Sequence, residues 1–455
     1  MDHGQELDHS STSSHTLAHD KEVHADDVSQ ESLHQPPLDG GAVEKQISKN
    51  PSVNNVNAIP NGGPTAWLQV AGSFFLFFNS WGIINTFGVY QTYYEGGILA
   101  GTSPSSISWI GSMQAFLLML VGALTGPVYD AGYFRSLVFT GSFLVIFGQM
   151  MLSLCTQYWQ VFIAQAICVG LGAGCLFVPS VAIISTYFST RIATAMGIAA
   201  VGSSLGGVIY PIVFYRLQPS IGFGWATRVI GFMMLATIAV PNLVMKVRVL
   251  PAARRKILDL AAFREPAYFC FVLGGFLGFM GLYAPFFYVQ TYAITNNITN
   301  PNLAFYLLSI INSASIFGRL IPNLVADKTG PFNMIVPCAL ISGILSLCLI
   351  PIKAVGPLIV FCILYGFFSG SFVSLPPTIF VHLSPNRGII GTRMGMGFAI
   401  ISIGLLIGTP ICGQILAHAG FTYVWVFGGV MTVVGGSFIG AARVFQGGWA
   451  LTKKV

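Results

Sequence analysis

KVRVLPAARRKILDLAAFREP, residues 246–266, divides the chain into two sets of six apolar runs. It is the longest polar break after residue 66, and it carries six Lys and Arg residues. Each run is long enough to cross a hydrocarbon layer of about 30 Å, which takes about 20 helical residues. The runs cover 66–90, 106–126, 134–154, 158–184, 192–214, 225–245, 267–291, 302–324, 333–351, 355–380, 392–416 and 421–442.

The composition excludes a water-soluble globule. The 455 residues are 54% apolar and only 8% charged, whereas soluble domains contain about 25% charged residues. Of the 15 acidic residues, 10 lie in the first 64 positions, and the others are Glu95, Asp130, Asp259, Glu265 and Asp327. The net charge of +6 is the sum of −7 in the first 64 positions and +13 in the rest, where the cations lie in the breaks between apolar runs rather than in one stripe. This spacing predicts contact with a lipid bilayer rather than with nucleic acid.

The N-terminal segment 1–59 is polar and contains six of the eight His residues. It cannot bury a core, so we expect a disordered tail, and it lacks the pattern of a signal peptide. The His residues lack metal-ligand spacing, and all eight Cys lie in or beside apolar runs. We therefore expect no metal site, no cofactor and no disulfide.

The distribution of cations predicts the topology. With the tail in the cytoplasm, fourteen cations fall inside, and outside fall only Arg216, Lys353 and, depending on where run six begins, Arg228. This asymmetry predicts cytoplasmic termini and an even number of spans, and we expect the plasma membrane. The sequon at Asn297 falls in an outside loop and is a candidate glycosylation site. The expected order is tail 1–59, N-terminal half 60–245, cytoplasmic linker 246–266, C-terminal half 267–445 and cytoplasmic C-terminus 446–455.

Several short patterns recur about 200 residues apart. Such recurrence is typical of transporters built from two parallel six-helix repeats. The sequence therefore predicts an all-α membrane protein with twelve transmembrane helices in two pseudo-symmetric halves. The recurring sets are Gly170, Gly174 and Pro179 with Gly366, Gly370 and Pro376; Met196, Gly197 and Ala199 with Met396, Gly397 and Ala399; and Asp130 with Asp327.

Arg319 is the strongest candidate for a functional side chain. It stands deep in run eight, where a charged residue is costly, and its guanidinium could hold a carboxylate in a bidentate pair. The alternative is that it reaches the cytoplasmic interface or pairs with a loop acid.

Uncharged polar residues in runs one and eight suit an organic ligand, although hydrogen bonding between helices is the alternative for each. These candidates are Asn79, Asn85, Tyr90, Asn312 and Ser315.

Asp130 and Asp327 follow runs two and eight, and each precedes a loop glycine. A carboxylate there can accept hydrogen bonds from a helix N-terminus or an arginine, so we expect a latch on the cytoplasmic side, with Arg135 and Arg191 as its cations. An ordinary loop turn is the alternative. No Walker, HExxH or GxSxG sequence is present, so the chain gives no support for an enzyme or for a catalytic residue.

Three stretches resemble signatures of the monocarboxylate porter family, fungal branch, of the major facilitator superfamily. They are PNGGPTAW at 60–67, YFSTR at 187–191 with the following Ala195–Ala199, and NSWGIINTFGVYQ at 79–91. The resemblance implies the twelve-helix fold and transport by alternating access. Lactate carriers of that family have a Lys in run one and an Asp four residues before the run-eight Arg. This chain has Asn85 and Ser315 there but retains Arg319.

The sequence therefore predicts a secondary active or facilitative transporter of a small organic anion, monocarboxylate-like, or of a related metabolite. Because the Lys and Asp of the lactate carriers are missing, the sequence leaves open whether protons are transported with the substrate. One alternative is an efflux transporter for a fungal secondary metabolite from a biosynthetic gene cluster. Others are a vitamin carrier and, from a different class, a nutrient sensor that does not transport and signals through its tail.

Deleting residues 1–59 separates a transporter from a sensor. A transporter should keep its initial rate of substrate flux, because the apolar runs alone form the translocation path. The measurement is flux per molecule of reconstituted protein, with the full chain as the reference. Unchanged ligand binding together with loss of a cellular signal would instead indicate the sensor.

Overall fold

The computed structural model describes residues 59–248, 258–385, 389–450 and 454–455, with the backbone alone at Asp130. The predicted tail therefore lies outside the described residues, apart from its last position. The same is true of 249–257 within the predicted linker and of 451–453 within the predicted C-terminus. The order of segments proposed from the sequence stays a prediction.

Every regular element in the described ranges is helical. Eleven of these helical segments are long and apolar enough to cross a membrane. One of them, Ile192–Val244, contains two helices, which we label α5 (192–221) and α6 (223–244). The others are α1 Pro64–Gly96, α2 Pro104–Asp130, α3 Phe134–Leu152, α4 Tyr158–Tyr187, α7 Pro266–Thr295, α8 Pro301–Thr329, α9 Pro331–Cys348, α10 Val355–His382, α11 Ile390–Ala419 and α12 Phe421–Gly447.

Gly222 separates α5 from α6. A continuous helix of 53 residues would measure about 80 Å, well over the thickness of a bilayer. Gly222 has φ 76° and ψ 169°, a conformation outside the helical region that glycine adopts without a steric penalty. The described architecture is therefore consistent with twelve spans, close to the boundaries expected from the apolar runs.

Every third span is interrupted. Ser80 and Thr86 break α1, Tyr283 breaks α7 and Leu375 breaks α10, while α4 contains the π-helical segment Phe162–Val169. In α1 the hydroxyls of Ser80 and Thr86 donate to carbonyls four residues earlier, at 2.7 and 2.9 Å, which bends a helix. Proline rings follow the breaks in α7 and α10 and remove main-chain donors there.

Glycines bring the backbones of α1 and α5 together, and those of α7 and α11. Gly202 and Gly206 of α5 face the carbonyl oxygens of Phe74 and Phe78, leaving no room for a Cβ atom. The second pair repeats this contact: Gly404 and Gly408 of α11 face the carbonyls of Phe276 and Met280, each 202 positions after its counterpart. Small residues permit such approach where lipid supplies no hydrophobic drive for association. The internal repeat expected from the sequence is therefore visible in three dimensions.

Arg393 fixes the end of the linker to the last six helices. Its guanidinium donates to Asp259 at 3.0 Å and to Glu265 at 2.7 and 2.5 Å, and it also bonds the carbonyl of Leu383 at 2.7 Å. The hydroxyl of Tyr268 donates to the carbonyl of Arg393 at 2.7 Å. The start of α11, the start of α7 and residues 259–265 are thus tied together. We call this side of the molecule the linker face and the opposite side the far face.

Alanine at the glycine contacts should destabilise the protein. Gly202→Ala and Gly404→Ala each place a methyl group against a main-chain carbonyl, and overpacking of this kind costs about 1–3 kcal/mol. We expect a lower midpoint of thermal unfolding for each variant in detergent. Gly356→Ala is the matched control, since a Cβ there meets nothing within 4 Å. A midpoint equal to that of the control would contradict the packing argument.

Candidate functional site

Two chambers lie between the first six and the last six helices. The larger, which we call the vestibule, has a volume of about 240 Å³ and lies at the linker face. Its walls come from α2, α4, α5, α10 and α11, and they are mostly apolar. Polar side chains occur mainly near the helix ends, where Ser185, Thr186, Ser189 and His382 contribute. Such a space suits an organic molecule with a large apolar surface.

The second, inner chamber lies deeper and measures only about 20 Å³, roughly the room for one water molecule. Arg319 is the one charged residue in its wall. The other lining residues are Phe77, Trp81, Met119, Phe177, Met196, Ala200, Phe279, Val373, Ser374, Pro377 and Phe398. Side chains from both sets of six helices therefore meet around a single guanidinium.

Neutral oxygen atoms hold the guanidinium of Arg319, which is 4% exposed. Its Nε donates to Ser315 Oγ at 3.1 Å, and Nη1 donates to the carbonyl of Ala200 at 3.0 Å and to the hydroxyl of Ser203. The described side chains place no carboxylate within ion-pair distance of it. The interaction joins α8 to α5 and leaves a buried positive charge without a negative partner among the described side chains.

Ser315 and Asn312 lie on the same helix as Arg319. Ser315 accepts from Arg319 and from Ser204 Oγ at 3.1 Å. One helical turn away, Asn312 and Asn85 both approach Gly207, where the absent side chain gives them room. Asn312 Oδ1 is buried and has no hydrogen-bond partner among the described residues. The structure therefore brings Ser315 to Arg319 and places Asn85 beside Asn312.

Asn79 and Tyr90 lie elsewhere and line neither chamber. Asn79 bonds Thr237 at 3.0 Å and accepts from the hydroxyl of Tyr210 at 2.7 Å, which links α1, α5 and α6. Tyr90 accepts from Gln149 Nε2 at 3.2 Å. Both are fully buried in contacts between helices of the first set. Their role in ligand binding stays a prediction.

Asp327 caps the start of α5. Its carboxylate accepts from the main-chain N–H of Ala193 at 3.1 Å and of Thr194 at 3.0 Å, and from the Thr194 hydroxyl at 2.5 Å. A negative charge at a helix N-terminus is stabilising, and here it also joins the two sets of helices at the linker face. The role of Asp327 in gating stays a prediction.

The other residues expected in the latch are Arg135, Arg191 and Asp130. Arg135 and Arg191 are exposed, and neither forms an ion pair with a described carboxylate. The side chain of Asp130 lies outside the described part of the chain. Their part in gating stays a prediction. Asn297 is exposed in the connection between α7 and α8, with φ 51°, and its glycosylation is likewise a prediction.

Uncharged hydrogen bonds close the far face between α2 and the helices α7 and α11. The hydroxyls of Ser108 and Tyr288 lie 2.6 Å apart, and Tyr288 donates to the carbonyl of Thr409 at 3.0 Å. Ser105 donates to the carbonyl of Pro410 at 3.1 Å, and the hydroxyls of Ser112 and Thr409 are bonded. These bonds therefore hold α2 to α7 and α11 at the far face, and the vestibule lies between α2, α4, α5, α10 and α11 at the linker face.

A sequence profile described as Major Facilitator Superfamily matches residues 70–389. The chain belongs to the major facilitator superfamily. It is a multi-pass membrane protein that transports small molecules. The solved structure of a POT family transporter in complex with 5-aminolevulinic acid resembles it with a TM-score of 0.64 and 13% identity, over 85% of this chain and 98% of that one. That likeness concerns the fold alone.

Named fungal relatives resemble the chain over most of its length. The MFS-type transporter dbaD of Emericella nidulans is 53% identical over 83% of this chain and 86% of its own. The aspyridones efflux protein apdF of the same fungus is 38% identical, over 89% and 82%. The agnestins efflux protein AgnL12 of Paecilomyces divaricatus is 38% identical, over 84% and 88%. Membership of the monocarboxylate porter branch stays a prediction.

Sequence reasoning missed the aromatic and main-chain parts of the site. Phe177 and Phe398 line both chambers, but a phenylalanine in an apolar run gives no signal of a cavity. The main-chain carbonyl of Ala200 binds Arg319, and no side chain in the sequence indicates this contact. The recurrence of Gly197 and Ala199 was visible in the sequence, yet it could not show which helix lies opposite.

Removing the charge of Asp327 should loosen the start of α5. In Asp327→Asn we expect the amides of Ala193 and Thr194 to exchange with solvent about fivefold faster, since a charged cap contributes about 1 kcal/mol. Hydrogen exchange followed by mass spectrometry on the peptide containing both residues measures this. Lys328→Gln is the control, because that exposed neighbour makes no bond to either amide. Equal exchange in both variants would contradict the cap.

Proposed function

We propose that this protein exports an amphipathic organic anion, a secondary metabolite of the producing cell, across the plasma membrane by alternating access. The observation that carries the proposal is the buried guanidinium of Arg319, which has only neutral partners among the described residues and faces a space with apolar walls. An acidic head group would bind the guanidinium, and an apolar body would occupy the vestibule.

The buried charge of Arg319 supports an anion as the ligand. A charge buried without an ionic partner is costly, and hydroxyl and carbonyl oxygens offset that cost only in part. An entering carboxylate or acidic enol forms a charge-assisted hydrogen bond, which is about twice as strong as a neutral one. Arg319 therefore favours negatively charged molecules over neutral molecules of the same shape.

The chamber walls support a ligand larger and less polar than lactate. Gly122, Val178, Val181, Met394 and Phe398 are typical of the vestibule wall. These groups offer no hydrogen bonds to a short hydroxy acid, whereas a ring system buries apolar area against them. The Lys and Asp of proton-coupled lactate carriers are replaced by Asn85 and Ser315, so neither position can bind a proton.

The direction of transport is supported by two observations. The relatives apdF and AgnL12 are named efflux proteins for aspyridones and for agnestins. The positive linker predicts that the linker face is cytoplasmic. A vestibule at that face, together with hydrogen bonds across the far face, corresponds to a carrier ready to take its load from inside the cell.

The anion site is tested with a defined probe in proteoliposomes. We expect saturable uptake of anthracenecarboxylate and little carrier-dependent uptake of its neutral methyl ester. Arg319→Gln should lower kcat/KM for the acid at least tenfold, the loss expected when one charge-assisted hydrogen bond disappears. Arg319→Lys should recover part of this activity, because the charge returns without the fork of donors.

Arg228→Gln is the matched control, because it removes a partly buried cation of α6 that lines neither chamber. Its uptake of the acid should equal that of the native protein. Undiminished uptake of the acid by Arg319→Gln, at equal amounts of folded protein, would overturn the anchoring role.

A further inference from the structure

Four residues belong to the walls of both chambers: Phe177, Met196, Pro377 and Phe398. They come from α4, α5, α10 and α11 respectively, so each set of six helices supplies two. A residue that lines two neighbouring spaces stands at the boundary between them. These four residues therefore form a partition between the vestibule and the chamber that contains Arg319.

An aromatic contact closes the middle of this partition. The rings of Phe177 and Phe398 lie edge to face, with centroids 5.5 Å apart and planes at 63°. Both side chains are 4% exposed. Phe177 belongs to the first set of helices and Phe398 to the second, so relative movement of the two sets must change this contact.

Each ring is supported from within its own set of helices. Phe177 packs against Phe77 at 6.2 Å and Trp81 at 6.0 Å, and Gly122 of α2 leaves the room its ring occupies, since a Cβ there would lie 2.8 Å from the Phe177 ring. Phe398 packs against Phe380 at 5.2 Å. Each ring thus packs against aromatic neighbours of its own set and contacts the other ring across the boundary.

The inner chamber is too small to hold a ligand while this partition stays closed. About 20 Å³ admits a water molecule, but not a carboxyl group with its attached ring. A ligand that reaches Arg319 from the vestibule must therefore separate Phe177 from Phe398. Aromatic rings pack favourably at centroid distances of 4.5–7 Å in offset or edge-to-face arrangements. A flat ring can enter between them after a small displacement, whereas a globular body needs a wider opening.

We propose that Phe177 and Phe398 form an inner gate that selects planar, conjugated acids. The ligand's acidic group passes between the rings to Arg319, while its flat body stays between Phe177 and Phe398 and extends into the vestibule. This selection rests on the proposed function, because it assigns the substrate class of the same site. The gate itself, as a barrier between two chambers, is independent of which molecule is carried.

A cysteine reporter tests the barrier without transport. Ala200→Cys places a thiol in the wall of the inner chamber, and Ala182→Cys places one in the vestibule. In nanodiscs, sulfonatoethyl methanethiosulfonate should modify the vestibule thiol much faster than the inner one, as quantified by mass spectrometry of the modified peptide. Adding Phe177→Ala or Phe398→Ala should raise the rate at Ala200→Cys at least tenfold and leave the rate at Ala182→Cys within about twofold.

Phe214→Ala is the control for loss of a buried ring, since Phe214 packs against Tyr90 at 4.6 Å, away from both chambers. It should not raise the rate at Ala200→Cys. The gate is refuted if the inner thiol reacts as fast as the vestibule thiol in the protein with both rings, or if neither ring deletion accelerates it. Because the thiol rate needs no substrate, this result stands even where the exporter proposal fails.

A transport experiment tests the selectivity. Anthracenecarboxylate is flat and adamantanecarboxylate is globular, and both carry one carboxyl group. We expect the native protein to prefer the flat acid in kcat/KM by at least tenfold, and Phe177→Ala or Phe398→Ala to reduce that preference at least fivefold. An unchanged preference in both variants would overturn the selective role. No carrier-dependent uptake of either acid would refute the exporter proposal and leave the thiol result as the test of the gate.

Discussion

The guanidinium of Arg319 lies where the two sets of helices meet, and its surroundings follow from the need to solvate it. The side chain is only 4% exposed, and the protein supplies oxygen atoms to it: the hydroxyl of Ser315 on the same helix, and the hydroxyl of Ser203 and the carbonyl of Ala200 on α5. These hydrogen bonds tie α8 to α5. The same oxygens are neutral, so these partners do not cancel the charge of the guanidinium.

The geometry around Arg319 depends in turn on glycine. A carbonyl of α5 can reach the guanidinium only because α5 runs close to its neighbours, which it does at Gly197 beside the backbone of Arg319 and at Gly202 and Gly206 beside α1. The second half uses Gly404 and Gly408 in the same way. Apolar side chains gain little free energy when they move from lipid into a contact between helices. Close backbone contacts of this kind therefore hold the bundle together.

Much of the fold was accessible from the sequence, and the reason is physical. A bilayer fixes the length of a span and forces the backbone to satisfy its hydrogen bonds locally, so counting apolar runs locates the helices. The interruption of α4 by a π-helical segment had no such signature, since it depends on tertiary packing.

Within the site, Arg319 and Ser315 were identifiable because charge and polarity are rare at that depth. Asn79 looked similar in sequence, yet its polar atoms are used between helices of one set. Phe177 and Phe398 were invisible because apolar residues in membranes are common.

The closure of the far face determines how that face responds to dissolved salt. The described hydrogen bonds of Ser105, Ser108, Ser112, Tyr288 and Thr409 contain no pair of opposite charges. Dissolved salt screens the attraction between exposed ions that are separated by more than a Debye length, but it has little effect on hydrogen bonds between hydroxyls and carbonyls that are buried from solvent. A carrier sealed in this manner keeps its far face shut in dilute and concentrated salt alike.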